Sequence, residues 1–144
     1  TVNYIDSSKN ANPSLMAIMG HCMGGRTAYL GASVLSDRFK LCVPFYSGGV
    51  FSPWGEGPSV FDRFRDLKCI VYGFYGNDDK NPSPADVDKF DEHLTELRVE
   101  HKFYRYDGAG HAFQNTVNTE NYRPKQSADA WEKAIRHLKD HLLG

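Results

Sequence analysis

The sequence predicts an α/β fold, with about four parallel strands alternating with helices in one domain over residues 1–144. Two observations carry this. Short apolar or alternating runs at residues 15–19, 40–46, 69–75 and 101–106 have the length of strands. Between and after them lie stretches whose apolar residues recur every three or four positions, the spacing of a helix face. Strands alternating with helices form parallel βαβ units, with helices covering a buried sheet. A chain of 144 residues is long enough for one such core.

The elements follow in order. Residues 15–19, LMAIM, are apolar throughout and stop at Gly20, which marks a buried strand. Residues 26–35 carry Ala28, Leu30, Ala32, Val34 and Leu35 after Gly24-Gly25 and are read as a helix. Residues 40–46, KLCVPFY, form a second strand near whose end Pro44 stands. Residues 47–59 are rich in Gly, Pro and Ser and read as a loop, followed by a short helix over 60–67. Residues 69–75, CIVYGFY, are a third strand, and 76–84 a loop. Val87, Phe90, Leu94 and Leu97 give 85–99 a clear amphipathic helix. Residues 101–106 alternate as a fourth strand, and a long loop runs to 124. The helix over 125–143 is expected to bury Ala128, Trp131, Ile135, Leu138 and Leu142.

Composition excludes several function classes. The net charge of −1 leaves no basic surface for nucleic acid or anionic lipid, so neither is expected as a partner. No apolar run approaches the length of a membrane span and no signal peptide is read, so the chain is expected to be cytoplasmic and off the membrane. The three cysteines, Cys22, Cys42 and Cys69, lie far apart without metal-type spacing. An odd count fits a reducing compartment, and Cys42 and Cys69 read as small core residues.

In parallel sheets, chemistry collects at the carboxyl ends of the strands. The first strand runs into Gly20-His21-Cys22-Met23-Gly24, the third into Asn77-Asp78-Asp79, and the fourth into Gly108-Ala109-Gly110-His111. A thiol, a carboxylate and an imidazole are thereby expected on one edge, in the order nucleophile, acid, histidine. That order belongs to hydrolases built on a strand–elbow–helix turn with the motif Gly-x-nucleophile-x-Gly. The glycines at 20 and 24 are expected to remove side chains that would collide where strand and helix pass each other. The helix beginning near Met23 or Gly24 points its partial positive end at the Cys22 thiol and favours thiolate. The Met23 amide is then a donor to an oxyanion. Tyr46, Trp54 and Phe113 read first as core or loop packing, with a pocket lining as the alternative; Tyr46 and Phe113 are kept as pocket candidates with Met23. His21, His93, His101, His137 and His141 lack such context and read as solvated or helix-surface residues.

With these residues in place, the sequence resembles the dienelactone hydrolase family, a cysteine branch of the α/β-hydrolase fold. The matching stretches are GHCMGGR, PFYSGG, GNDDKNPSPADV, YDGAGHAF and YRPKQSADAWEKAIRHLKDHL, together spanning nearly all of the chain from Leu15 onward. The resemblance implies Cys22 as nucleophile, His111 as general base and Asp79 as the residue that orients it, with Asp78 as the alternative acid. It implies hydrolysis of small carboxylic esters or lactones through a thioester, without cofactor or metal. Full-length members carry about a hundred more residues before the elbow strand, which supply the other half of the sheet and the second oxyanion donor. The fold implied is therefore a truncated α/β-hydrolase fold whose elbow strand lies on an edge. Residues 1–6 are a candidate cover for that edge, and a homodimer or higher oligomer through the elbow-strand side is the other expectation. Enzymes of the family that act on dienelactone hold its carboxylate with an arginine four residues after the histidine; Asn115 stands there.

Two other classes compete. One is a non-catalytic truncated domain acting as a binding or assembly module. The other is a glutamine amidotransferase, which also sets a cysteine on such an elbow but places a glutamate two residues after its histidine; Phe113 occupies that position.

Overall fold

A computed structural model describes residues 2–144. Its centre is a four-stranded parallel sheet in the order β1-β2-β3-β4, with β1 Ala17–His21, β2 Leu41–Phe45, β3 Ile70–Gly76 and β4 His101–Tyr106. The helices are α1 Val2–Ser7, α2 Met23–Val34, α3 Pro84–Glu96 and α4 Pro124–Leu142, with a 3-10 turn over Asp62–Asp66. No helix among the described residues is long and apolar enough to cross a membrane.

β2 is buried along its whole length, and successive residues serve opposite faces. Cys42 packs with Ala28, Tyr29 and Ala32 of α2, Phe64 of the 3-10 turn, and Val87, Phe90 and Leu94 of α3. Leu41, Val43 and Phe45 pack with Phe74, Phe113, and Ala130 and Ala134 of α4. Two helices and the 3-10 turn thus cover one face, and α4 alone covers the other. α3 starts where Ser83 caps it: the Ser83 hydroxyl accepts from the Asp86 N–H, and the Asp86 carboxylate accepts from the Ser83 N–H.

Four expectations need correction. β1 lies two residues later than residues 15–19, because its ladder with β2 continues through Gly20 and His21, and the Cys22 N–H donates to the Phe45 carbonyl at 3.0 Å. α2 begins at Met23, where the elbow motif puts it, three residues ahead of the apolar spacing read over 26–35, since its first turn uses the glycine pair. α4 is rotated from its expected face: Ser127, Ala130 and Ala134 are buried, because small side chains let it approach β2 and β3 closely. Trp131 and Ile135 are left 36% and 44% exposed. Finally, residues 2–6 give no strand; they belong to α1, which buries no side chain, and Thr1 lies outside the described residues. Among the described residues β1 therefore has no strand on its outer side, and Met19 within it is 42% exposed.

The turn from β1 into α2 is set by contact. A Cβ on Gly20 would lie 2.1 Å from the Gly24 carbonyl oxygen, and one on Gly25 would lie 2.9 Å from the Phe45 oxygen. A Cβ on Gly24 would meet nothing within 4 Å. The steric need expected at 20 and 24 falls instead on 20 and 25, because Gly24 contributes the backbone that crosses Gly20. Gly20→Ala should cost at least about 3 kcal/mol, the upper range for overpacking. Gly24→Ala should be neutral or stabilising by up to about 1 kcal/mol, since alanine is the better helix residue. Urea midpoints compare the two; equal losses would contradict this crossing.

Candidate active site

Cys22 joins β1 to α2 with φ 57°, a left-handed conformation unusual for a residue with a side chain. Both of its backbone groups are tied. Its N–H reaches Phe45, and its carbonyl accepts from Gly25 and Arg26 at 3.0 and 3.3 Å. The conformation leaves the residue exposed at the carboxyl edge of the sheet, at the head of α2. The first N–H groups of a helix lack intrahelical partners, so the amide of Met23 is available there.

Asp79 follows β3 and is 5% exposed. One carboxylate oxygen accepts from the Asn81 N–H at 2.9 Å, which fixes its plane. The other, Oδ2, lies 2.9 Å from Nδ1 of His111, in the turn after β4. Asp78 is exposed and contributes only backbone bonding nearby, so the structure brings Asp79 to the imidazole and leaves Asp78 in solvent. The other imidazole nitrogen, Nε2, is 3.0 Å from Cys22 Sγ. The hydrogen bond to Asp79 pushes the His111 pKa up to about 9, against the opposing effect of burial. Sγ, imidazole and carboxylate form one hydrogen-bonded chain, in which a proton can pass between Sγ and Nε2 while Nδ1–H stays on the Asp79 side.

The remaining predicted residues separate. Tyr46 is 4% exposed, adopts φ 34°, and turns its ring edge-on to His111 at 5.4 Å. Burial pushes its pKa up to about 12. Phe113 is fully buried behind Tyr46 at 5.4 Å, so it is core and does not line a pocket. Met23 is 68% exposed and lines a cavity of about 210 Å³ with Cys22, Arg26, Gly48, Gly49, Asn81 and His111. Trp54 lies over the Arg26 guanidinium, 3.8 Å from ring centroid to Cζ.

Sequence reasoning missed Arg26 and Asn81. Arg26 follows the glycine pair directly, so it faces the cavity from the first turn of α2. Asn81 accepts the Gly49 N–H at 2.9 Å and links the acid loop to the loop after β2. Of the other histidines, His93, His137 and His141 lie part-exposed on helices, as expected, while His21 and His101 belong to strands. His21 stacks on Phe45 at 4.4 Å beside Trp131, and burial lowers its pKa. His137 stacks on Tyr72 at 3.6 Å, His93 on Phe61 at 4.5 Å, and His101 bonds the Val99 carbonyl at 2.7 Å. His141 reaches the Tyr72 hydroxyl at 3.2 Å. Except for His101, whose carbonyl partner lies two residues before it, an aromatic neighbour from another element supplied the partner. No group of side chains suited to a metal ion occurs among the described residues.

Comparison with known proteins adds the relationship. The model of the dienelactone hydrolase family matches residues 1–142. A protein of Synechocystis sp. named as a carboxymethylenebutenolidase is 32% identical over 145 residues, covering 99% of this chain and 57% of that protein. Among solved structures, one from Klebsiella pneumoniae named as a dienelactone hydrolase superposes with a TM-score of 0.83 at 24% identity, covering 90% of this chain and 54% of that one. A dienelactone hydrolase-like promiscuous phosphotriesterase from metagenomic libraries superposes at 0.81 and 16% identity, covering 97% and 58%. At those identities the two structures speak for the fold. The chain spans a little over half the length of the curated relatives it matches.

The raised His111 pKa gives a direct test. Its imidazole should titrate near pH 9 by NMR, and Asp79→Asn should return the midpoint toward the ordinary value of 6.5. Because the folded-state pKa lies above the unfolded one, the stability this group contributes is complete below pH 6.5 and is lost as pH rises through about 9. A wild-type midpoint near 6.5 would contradict the Asp79 contact.

Proposed function

The chain belongs to the dienelactone hydrolase family, and from that premise we propose that it hydrolyses small carboxylic esters or lactones through Cys22, His111 and Asp79. The observation that carries the reading is the chain from Cys22 Sγ through His111 to Asp79, with contacts of 3.0 and 2.9 Å. An activated nucleophile needs a base within hydrogen-bond reach and a third group that holds the base.

The steps follow from these positions. His111 Nε2 takes the Cys22 proton, and Sγ attacks the carbonyl carbon. The carbonyl π pair moves to oxygen, where the Met23 N–H at the head of α2 stabilises it. Collapse expels the alcohol oxygen, which takes the proton from Nε2, and leaves a thioester on Cys22. In a lactone the alcohol stays tethered to the acyl group. Having given its proton to the alcohol, the ring is neutral and serves as base for water. Water attacks the thioester carbonyl as Nε2 takes its proton. Collapse releases the acid and returns Cys22. Asp79 holds Nδ1–H throughout, which keeps Nε2 aimed at the sulfur. No step calls for a cofactor.

Hydrolysis of p-nitrophenyl acetate by the purified chain tests this. Cys22→Ala and His111→Ala should each abolish turnover above background. Asp79→Asn should lower it by roughly 10²- to 10⁴-fold, the range for losing an oriented base. Asp78→Asn should be mild. Damage from Asp78→Asn in place of Asp79→Asn would mean that the wrong carboxylate has been assigned, and an inactive wild type would favour the non-catalytic binding module.

The open side of β1 supports a second element of the reading, self-association. Exposed backbone at a sheet edge pairs readily with another strand, and Met19 in β1 and Trp131 next to His21 add exposed apolar surface there. A two-fold axis would set two β1 strands antiparallel and make one continuous sheet. Light scattering of the 144-residue chain at micromolar concentration should find a dimer or larger species. A folded monomer would overturn this.

A further inference from the structure

Beside Cys22 and His111 stands a hydrogen-bond donor that neither the fold nor the reaction above uses. It belongs to Asn81, which lines the same cavity from the acid loop. The Asn81 backbone N–H is spent on Asp79, at 2.9 Å. Its side-chain Oδ1 accepts from the Gly49 N–H, also at 2.9 Å. An amide that accepts through its oxygen presents its NH2 group elsewhere, so this contact fixes which end is which. Among the described residues Nδ2 has no hydrogen-bond partner. The side chain is also held from one face: a Cβ on Gly48 would lie 2.8 Å from Oδ1 and 2.9 Å from Cγ, so the bare glycine backbone packs directly against the amide. A donor fixed in this way loses little freedom when it meets an acceptor. Arg26, in the same cavity, is buried with no carboxylate in an ion pair among the described residues, but the Ser52 carbonyl and Trp54 engage it and it holds the loop after β2.

We propose that Asn81 is a specificity residue whose Nδ2–H donates to a second, uncharged carbonyl oxygen in the acyl part of the substrate, as in α-acylamino esters and lactones. The substrate class rests on the hydrolase reading above; the donor site itself does not. Two features put the acceptor in the acyl part. Sulfur keeps the acyl group in this cavity through both half-reactions, whereas the alcohol leaves after the first. And a cavity of about 210 Å³ is only a few atoms across, so an oxygen a few bonds beyond the carbon on sulfur meets its walls. The donor is a neutral amide, so it selects by a hydrogen bond and not by charge. A site built around such a donor disfavours an analogue that lacks the acceptor, because the polar group is then left unpaired. Tying the acid loop to the loop after β2 needs only Oδ1 and leaves Nδ2 free beside the cavity.

Two p-nitrophenyl esters of equal acyl length test this. The N-acetylglycine ester carries an amide carbonyl, and the pentanoate ester has only methylenes in its place. The ratio of their kcat/KM values, each divided by the ester's rate with a free thiolate such as 2-mercaptoethanol, removes the difference in intrinsic reactivity. Asn81→Asp keeps the oxygen that accepts from Gly49 and the backbone N–H that holds Asp79, and removes only the donor. It should lower the ratio roughly tenfold, the loss of about one hydrogen bond. Any effect of the added charge on His111 acts on both esters and cancels. Asn81→Leu should lower the ratio to a similar extent and also lower the urea midpoint, since the Gly49 N–H loses its acceptor. An unchanged ratio, or both esters slowed equally as a merely structural asparagine would give, overturns the proposal. If neither variant folds, Cys22→Ala, which turns nothing over, decides by NMR. The Asn81 side-chain NH2 signals should shift with N-acetylglycine methyl ester and stay in place with methyl pentanoate; equal shifts, or none, overturn the site. Failure of the hydrolase reading shows separately, as absent ester turnover by the wild type with the shift still specific to the acylamino ester.

Discussion

One backbone contact governs the site: the passage of the Gly24 carbonyl beneath Gly20, too close for any Cβ at position 20. It brings the head of α2 against the end of β1 and leaves Cys22 only a left-handed conformation in which to turn between them. The cost of that conformation, about 1–3 kcal/mol for a residue with a side chain, is met by hydrogen bonds to both of its backbone groups. The exposed sulfur, the free amide of the first helical residue and the entry of Arg26 into the cavity all follow from this turn. A relaxed turn would bury the sulfur in the sheet and separate it from His111.

The parallel sheet supplies the other half of the arrangement. Because all four strands run the same way, the segments after β1, β3 and β4 emerge on one edge. Residues 57 and 89 positions from Cys22 in sequence become its neighbours in space without any long loop being closed across the molecule. The buried hydroxyl chain of Tyr29, Tyr75 and Ser47, with contacts of 2.9 and 3.1 Å, ties α2, β3 and the loop after β2 together directly beneath this edge. Side chains that meet at the site are thereby carried on a rigid base.

That Cys22, the Asp78-Asp79 pair and His111 would share one edge was legible because each follows an apolar or alternating run, and such a run fixes where a strand delivers the next loop; the choice of Asp79 over Asp78 came from the family resemblance. The edge position of β1 was legible from the family resemblance instead, and the order of the strands comes from the structure. What was not legible depends on contacts between elements that periodicity does not encode. The face of α4 turned because Ala130 and Ala134 pack closer to the sheet than Trp131 and Ile135 can. His137 found Tyr72 across from it. Arg26 looked like an ordinary helix residue; only its burial without a carboxylate partner set it apart.

The account stands or falls on covalent chemistry at one sulfur. Brief reaction of the wild-type chain with excess p-nitrophenyl acetate, quenched in acid and mapped by mass, should find an acetyl thioester on Cys22. It should accumulate more in Asp79→Asn, where the base for water attack is poorly held, and should be absent from Cys42 and Cys69. Acetylation confined to lysines, or spread over all three thiols alike, would contradict it.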